Sequence, residues 1–228
     1  MTKLKQNIDN FLPLCEKSLK QILDSLQSKK NVFGTNKVRK SIESEKDLEQ
    51  KLDLIVPLQI GDYFSNISKV ERVEFEKKLI NKNPHDIVLT FCGAKIVVEV
   101  KRIRETERCN ETSKDMIKSN YWKELIDNGE MKKLTKLIID DKYRQLENSY
   151  PNIIFIVSKD LYFRADNTQD SAKEIIRFDS KFYYPNFEGS QYNMLNALLH
   201  MDENTCEING YSVFNNYIVE KLISLLNQ

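Results

Sequence analysis

The amino-acid sequence predicts an α/β fold of the α+β kind, with helices flanking a mixed central sheet of four to five strands. Period-two and continuous apolar runs indicate strands in the middle of the chain, and helical apolar stripes indicate extra helices at both ends. The 228 residues contain no internal repeat or low-complexity linker. We therefore expect one domain over 1–228, with N-terminal helices in 1–43, an α-β-β-β-α-β core in 44–158 and further elements in 159–228.

The N-terminal part is predicted to be helical. Residues 1–30 carry one apolar stripe at helical spacing, formed by Leu19, Ile22, Leu23 and Leu26. A loop around Gly34 follows. The segment from Ser44 to Asp47 resembles a capping box, so a further helix is expected to begin there and to end at Pro57 and Gly61-Asp62.

Three strands are predicted next. From Lys69 onward apolar and charged residues alternate, which is typical of a half-exposed strand. A turn ending at Pro84 leads into a second strand, His85–Phe91. Gly93 then leads into a third, Lys95–Val100, whose continuous apolar run indicates burial on both faces.

The second half of the chain is predicted to alternate between helices and strands. Helices are expected over about 112–127 and 130–148, followed by a buried strand, Ile153–Val157, that a right-handed crossover would make parallel to the third strand. A helix from Ser190 through His200 and a turn at Asn209-Gly210 are expected next. The last helix carries the apolar residues Ile218, Val219, Leu222, Leu225 and Leu226.

Composition sets limits on the class of protein. The chain has 35 basic and 34 acidic residues, a net charge of +1, which neither indicates nor forbids a nucleic-acid partner. No apolar run is long enough to span a membrane, and the first ten residues lack the apolar core of a signal peptide. The four cysteines form no CxxC pair, so we expect neither a zinc site nor a disulfide framework, and a cytoplasmic location.

The segment from Pro84 to Arg102 carries the residues suited to chemistry. Asp86 opens one apolar run, and Glu99 and Lys101 close the next. Side chains alternate along a strand, so Glu99 and Lys101 face the same side. Mg²⁺ prefers carboxylate oxygens, so Asp86 and Glu99 are the expected metal ligands, with the backbone carbonyl of Val100. Lys101 is expected beside a water that attacks a phosphodiester.

This pattern, Pro84-His85-Asp86 followed by Glu99-Val100-Lys101, resembles the motif of the PD-(D/E)XK nuclease superfamily, with a histidine inserted before the aspartate. The resemblance covers about Ser44 to Ser158 and implies a restriction-endonuclease-like core, most like that of an orthodox Type II restriction endonuclease. It implies Mg²⁺ as cofactor, with Mn²⁺ as a substitute, double-stranded DNA as substrate and a homodimer.

The resemblance also implies further site residues. The family often has an acidic residue on the helix before the hairpin, for which Glu45 is the first candidate and Glu49 the second. It often has a Gln or Lys on the helix after the third strand, where Gln145 is a match, although the common Gln-x-x-x-Tyr spacing is absent. The candidate DNA contacts are Gln145, together with Arg102 and Arg104 for their position directly after the third strand, and Arg164 for a residue type that can read base edges.

Each of these assignments has a structural alternative. A Glu-x-Lys triplet at a strand end can be an ordinary surface ion pair, and Glu45 can be a first-turn acid favoured by the helix dipole. His85 neighbours Asp86 along a strand, so it is expected to point to the opposite face. His200 is expected to be structural.

We therefore expect a Mg²⁺-dependent, site-specific double-strand DNA endonuclease. One alternative is a repair, junction-resolving or phage-defence nuclease of the same fold with little sequence specificity. Another is a non-catalytic DNA-binding protein of that fold, and a third is an unrelated α/β protein whose motif is accidental. A homodimer would place two sites on opposite strands of a palindrome, with the terminal helices 13–28 and 212–226 as the candidate dimer surface.

Overall fold

The computed structural model describes residues 18–80, 83–103, 142, 145–158, 194–202, 208–213 and 216–226. These residues contain four helices and seven strands. In chain order they are α1 (Leu19–Ser28), β1 (Val32–Phe33), α2 (Thr35–Ser44), α3 (Leu48–Ser65), β2 (Val70–Lys78), β3 (Pro84–Phe91), β4 (Ala94–Ile103), β5 (Asn152–Ser158), β6 (Leu195–Asp202), β7 (Ile208–Val213) and α4 (Tyr217–Leu226).

The seven strands form one mixed sheet in which they lie side by side in chain order. The short strand β1 is parallel to β2, and β2, β3 and β4 are antiparallel neighbours. Strands β4, β5 and β6 are parallel, and β7 is antiparallel to β6. The mixed sheet and the parallel pairing of β5 are confirmed, but the sheet has more strands than the four to five predicted. In the part of the chain described, no helix is long and apolar enough to cross a membrane.

One hydrophobic core joins the four helices to one face of the sheet. On β4 the residues that enter this core are Ile96, Val98 and Val100, and on β5 they are Ile153, Phe155 and Val157. The alternate residues Val97 and Ile154 are also fully buried, so they lie under the other face. Burial on both faces explains the continuous apolar run of the third predicted strand, and it leaves Glu99 on the face opposite the helices.

Helix α3 begins later and ends later than predicted. Its N-cap is Asp47, which accepts a hydrogen bond from the backbone of Gln50 at 2.8 Å, whereas Ser44 is the last residue of α2. The helix continues through Pro57 and Gly61. A Cβ atom on Gly61 would lie 2.2 Å from Cζ of Phe75 in β2, so this glycine is needed for close packing, not to end the helix.

The segment predicted as a helix from Ser190 through His200 contains strand β6 instead. Its residues Ala197, Leu199 and Met201 enter the core, and Leu198 and His200 are fully buried as well. Leucine, alanine and methionine favour helices locally, but burial between two neighbouring strands overrides this preference. Asn209-Gly210, predicted as a turn, lies within β7.

The helices at the two ends of the described chain agree with the sequence. The stripe predicted for the N-terminal helix is buried on α1, and that of the last helix is largely buried on α4. The helix predicted over 112–127 lies outside the described residues, and so does most of the one over 130–148. Residues 145–150 are not α-helical.

Candidate active site

The β3–β4 hairpin opens at the end where the motif lies. The last pair of facing residues is Ile87 with Val98. Beyond this pair, the backbone N–H of Val100 donates a hydrogen bond to the side chain of Asp86. The distance from the nitrogen to Oδ2 is 2.7 Å. This bond holds Asp86 beside Glu99, where both carboxylates can reach one point.

That point is occupied by the ammonium of Lys142. Its Nζ lies 2.8 Å from Oδ2 of Asp86 and 3.4 Å from Oε2 of Glu99. It also lies 3.3 Å from Oε1 of Gln145. Oxygen atoms from the two predicted ligands therefore converge on one cation. The Asp86 side chain is 29% exposed and that of Glu99 is fully buried, so the site opens towards solvent on the Asp86 side.

The second oxygen of Glu99 is bound by His85. The distance from Nδ1 of His85 to Oε1 of Glu99 is 2.7 Å, and the distance from Nε2 to Oε1 of Glu147 is 3.1 Å. The expectation that His85 points away from the site is therefore wrong. The β3–β4 pairing ends at Ile87 and Val98, so strand alternation alone does not decide which groups a side chain beyond that pair can reach.

The two contacts of His85 require an extra proton. Ionised carboxylates only accept hydrogen bonds, and a neutral imidazole has one N–H, so either the ring is cationic or one carboxyl group is protonated. Burial lowers the pKa of His85, but its hydrogen bonds and charge interactions with Glu99 and Glu147 outweigh burial and raise the pKa above its usual value.

The buried carboxylate and the lysine are perturbed too. Burial raises the pKa of Glu99 to about 7, although the hydrogen bond from His85 opposes this. For Lys142, burial lowers the pKa, but the charges of Asp86 and Glu99 more than compensate, so the pKa is raised and the ammonium keeps its proton. Burial and paired charges thus combine in one small cluster, as they often do at functional sites.

Glu147 is held in place from β5. Its backbone N–H donates to Oδ1 of Asn152 at 2.9 Å, and its carbonyl accepts from Nδ2 of the same residue at 2.8 Å. The Nδ2 group also donates to the carbonyls of Tyr150 and Met194. Asn152 therefore fixes the segment that brings Glu147 to His85.

The other predicted site residues on the hairpin are placed as follows. Lys101 is half-buried on β4 and follows Glu99 on the same face. The side chain of Val100 enters the core, and its N–H is bound by Asp86. Gln145 lies at the site through its contact with Lys142.

Glu45 is not in a helix, in contrast to the prediction. It lies between α2 and α3, and its Oε1 accepts hydrogen bonds from the N–H groups of Lys46 and Asp47 at 2.7 and 2.9 Å. These bonds shape the turn between the two helices. These two hydrogen bonds explain the glutamate at this position by the shape of the turn, without a role at the β3–β4 hairpin.

Arg102 lies on the face of β4 that α3 covers. Only 1% of its side chain is exposed, and its Nη1 lies 2.6 Å from Oε2 of Glu49 and 3.4 Å from Oδ1 of Asp53. This placement favours a structural tie between β4 and α3 over a contact with DNA. Glu49 belongs to that tie. Arg104 and Arg164 lie outside the described residues.

Sequence reasoning missed Lys142 and Glu147. Lys142 stands three residues before Gln145, in the segment where the family resemblance implies a Gln or Lys, so this signal was available. Glu147 has no such signal in the sequence. It belongs to the site through its contact with His85, and strand alternation predicts His85 on the face opposite Asp86.

The donor types fit a divalent cation, since carboxylate oxygens of Asp86 and Glu99 already surround one cationic group. Among the residues that the structure describes, no group of three or more His, Cys, Asp and Glu is arranged to hold a metal ion. No protein-family model matches the chain, and searches of curated proteins and of solved structures gave no significant match.

Proposed function

We propose that this chain is a Mg²⁺-dependent, site-specific double-strand DNA endonuclease of the Type II restriction kind, with a PD-(D/E)XK core. The observation that carries the proposal is the convergence of Asp86 Oδ2 and Glu99 Oε2 on the ammonium of Lys142, at 2.8 and 3.4 Å. At the open end of an antiparallel hairpin, two carboxylates can hold a divalent cation and an amine can stabilise negative charge. Both functions are useful for the hydrolysis of a phosphodiester.

The order of elements supports the same core. Helix α3 is followed by the antiparallel strands β2, β3 and β4 and then by the parallel strand β5, which agrees with the α-β-β-β-α-β order in its described elements. The candidate residues of the hairpin lie where β3 and β4 separate. A site at the end of a sheet leaves room for a polymer to approach.

Asp86 and Glu99 would hold the cation, together with the carbonyl of Val100, and the ammonium of Lys142, which lies between the two carboxylates here, would give up that position to it. A bound Mg²⁺ would neutralise phosphate charge and lower the pKa of a coordinated water. Lys142 is the ammonium that contacts both carboxylates, so we assign it to the stabilisation of negative charge on the phosphate. Lys101, two residues beyond Glu99 on β4, remains the candidate that orients the attacking water.

We further propose that the enzyme acts in the cytoplasm as a homodimer on palindromic DNA. A dimer gives each strand of the duplex its own Asp86–Glu99 pair, which is how two symmetric cuts would arise. The near-neutral net charge of +1 favours an enzyme that encloses a defined site over one that coats any DNA.

The test is incubation of the purified chain with phage and plasmid DNA in Mg²⁺, followed by end-sequencing of the fragments. Discrete bands with a common end sequence support the proposal. A smear, or cutting only of branched DNA, would replace it with a repair or phage-defence nuclease, and absence of any scission in Mg²⁺ or Mn²⁺ would leave a DNA-binding protein. Asp86→Asn serves as the inactive control against a contaminating nuclease.

A further inference from the structure

The two oxygens of Glu99 have different partners. Oε2 lies on the side of Lys142 and Asp86, at 3.4 Å from the ammonium. Oε1 lies 2.7 Å from Nδ1 of His85. Oε2 thus lies at the site where the cation would bind, whereas Oε1 contacts the buried imidazole of His85.

The contact through His85 continues into the protein as a short series of buried polar groups. Nε2 of His85 lies 3.1 Å from Glu147, and both the backbone N–H and the carbonyl of Glu147 are bound by the Asn152 side chain. The exposed fractions of these three residues are 0%, 3% and 0%. Each of them is therefore shielded from water and fixed by its neighbours.

We propose that His85 and Glu147 are positioning residues that fix the Glu99 carboxylate with Oε2 directed at the divalent cation. The inference rests on the proposed function only for the identity of the cation site. His85 and Glu147 would touch neither the metal nor DNA, and they act through Glu99.

The physical reason is the freedom of a glutamate side chain. Its terminal torsion is broad, so a carboxylate held by one contact can rotate and turn its oxygens out of the direction in which the cation would lie. The hydrogen bond between His85 and Glu99 removes this freedom, and Glu147 fixes the orientation of the imidazole in turn. Partners of this kind behind a metal ligand typically contribute about 10- to 100-fold in metal affinity or activity.

The experiment measures Mn²⁺ affinity by calorimetry on the full chain and four variants, together with the unfolding midpoint without metal. Glu147→Ala removes the partner of His85, and Glu147→Gln keeps a hydrogen-bond acceptor there. His85→Gln removes the imidazole that connects Glu99 with Glu147. Glu74→Gln is the matched control, because Glu74 is also a buried acid in the same sheet, and its ion-pair partners are Arg72 and Lys77, not His85 or Lys142.

We expect Glu147→Ala and His85→Gln to weaken Mn²⁺ binding about 10- to 100-fold, and Glu147→Gln to stay within about 3-fold of the wild-type chain. Glu74→Gln should lower the unfolding midpoint without changing Mn²⁺ affinity. If Glu147→Gln keeps the Mn²⁺ affinity that Glu147→Ala loses, the loss comes from the missing hydrogen-bond acceptor and not from a general decrease in stability.

Two failures are distinguishable. If the wild-type chain binds Mn²⁺ and Glu147→Ala and His85→Gln bind it equally well, the positioning role is wrong and the proposed function stands. If the wild-type chain binds no Mn²⁺, the cation site and the positioning role both fall.

Discussion

Nζ of Lys142 lies 2.8 Å from Oδ2 of Asp86, although the two residues belong to segments far apart in the chain. The hairpin therefore supplies the acidic half of the site, along with Lys101. The basic half that contacts both acids comes from the segment that precedes β5. Folding of the sheet, and not the motif alone, brings the two halves together.

Replacement of Lys142 with methionine should strongly reduce DNA cleavage. The variant removes the ammonium that contacts both carboxylates, so the rate constant should fall about 100-fold or more, as when one charge-stabilising group is lost elsewhere. Single-turnover cleavage of a defined DNA measures this. The matched control is Lys37→Met, since Lys37 also pairs with a carboxylate, that of Glu76, on the surface. Equal rates for the wild type and Lys142→Met would remove Lys142 from the mechanism.

Replacement of Asp86 with asparagine should abolish stabilisation by divalent cations while the fold survives. An asparagine can still accept the hydrogen bond from Val100, so the hairpin keeps its geometry, but it loses the negative charge that a hard cation needs. Thermal unfolding with and without saturating Mg²⁺ shows the effect as a shift in midpoint. We expect a rise for the wild type and essentially none for the variant. A rise of equal size in the variant would mean that the metal binds elsewhere.

Stability should decrease as pH rises from about 5 to about 8. The pKa of Glu99 is about 7 in the folded chain, against 4.5 for an unperturbed glutamate. The unfolded chain therefore loses this proton at lower pH than the folded chain, and the unfolded state becomes more favourable as pH increases. His85 acts in the same direction: its pKa is raised above 6.5, so the stability it contributes below that value is lost as pH rises through the folded pKa.

The magnitude should be on the order of 1–3 kcal/mol over this range. Urea unfolding at a series of pH values without divalent metal measures it, and Glu99→Gln should show a clearly smaller decrease. A free energy of unfolding that increases from pH 5 to 8 in the wild type would contradict the charge assignment.

Replacement of Arg102 with methionine should reduce the free energy of unfolding more than it reduces the affinity for DNA. The buried guanidinium ties β4 to Glu49 and Asp53 of α3, whose side chains are about a third exposed. Loss of this tie should cost about 1–2 kcal/mol, less than for a fully buried pair, because water can solvate the two acids. The check is denaturant unfolding beside a DNA-binding titration at several salt concentrations. A large loss of DNA affinity at unchanged stability would make Arg102 a phosphate contact.

The sequence predicts the central hairpin well because local patterns determine it. Alternation specifies β2, and continuous apolar runs specify β4 and β5, since these strands are buried on both faces. The positions of Asp86 and Glu99 follow from the hairpin. The same reasoning fails for β6, whose leucines, alanine and methionine have helical preferences that only the neighbouring strands override.

The rest of the site depends on contacts between distant segments. Lys142 reaches Asp86 from outside the hairpin, and Glu147 reaches His85 only because Asn152 anchors its backbone. No periodicity encodes such contacts. Glu45 fails as a prediction for a local reason, because α2 ends at Ser44 and Asp47, not Ser44, caps the next helix.

The most direct test of the cation site is cleavage of one DNA substrate by the wild type, Glu99→Gln and Glu74→Gln, each with Mg²⁺ and with a chelator. We predict cleavage by the wild type and by Glu74→Gln in Mg²⁺ alone, and none by Glu99→Gln under either condition. Cleavage by Glu99→Gln at the wild-type rate, or cleavage by the wild type in the chelator, would contradict the account.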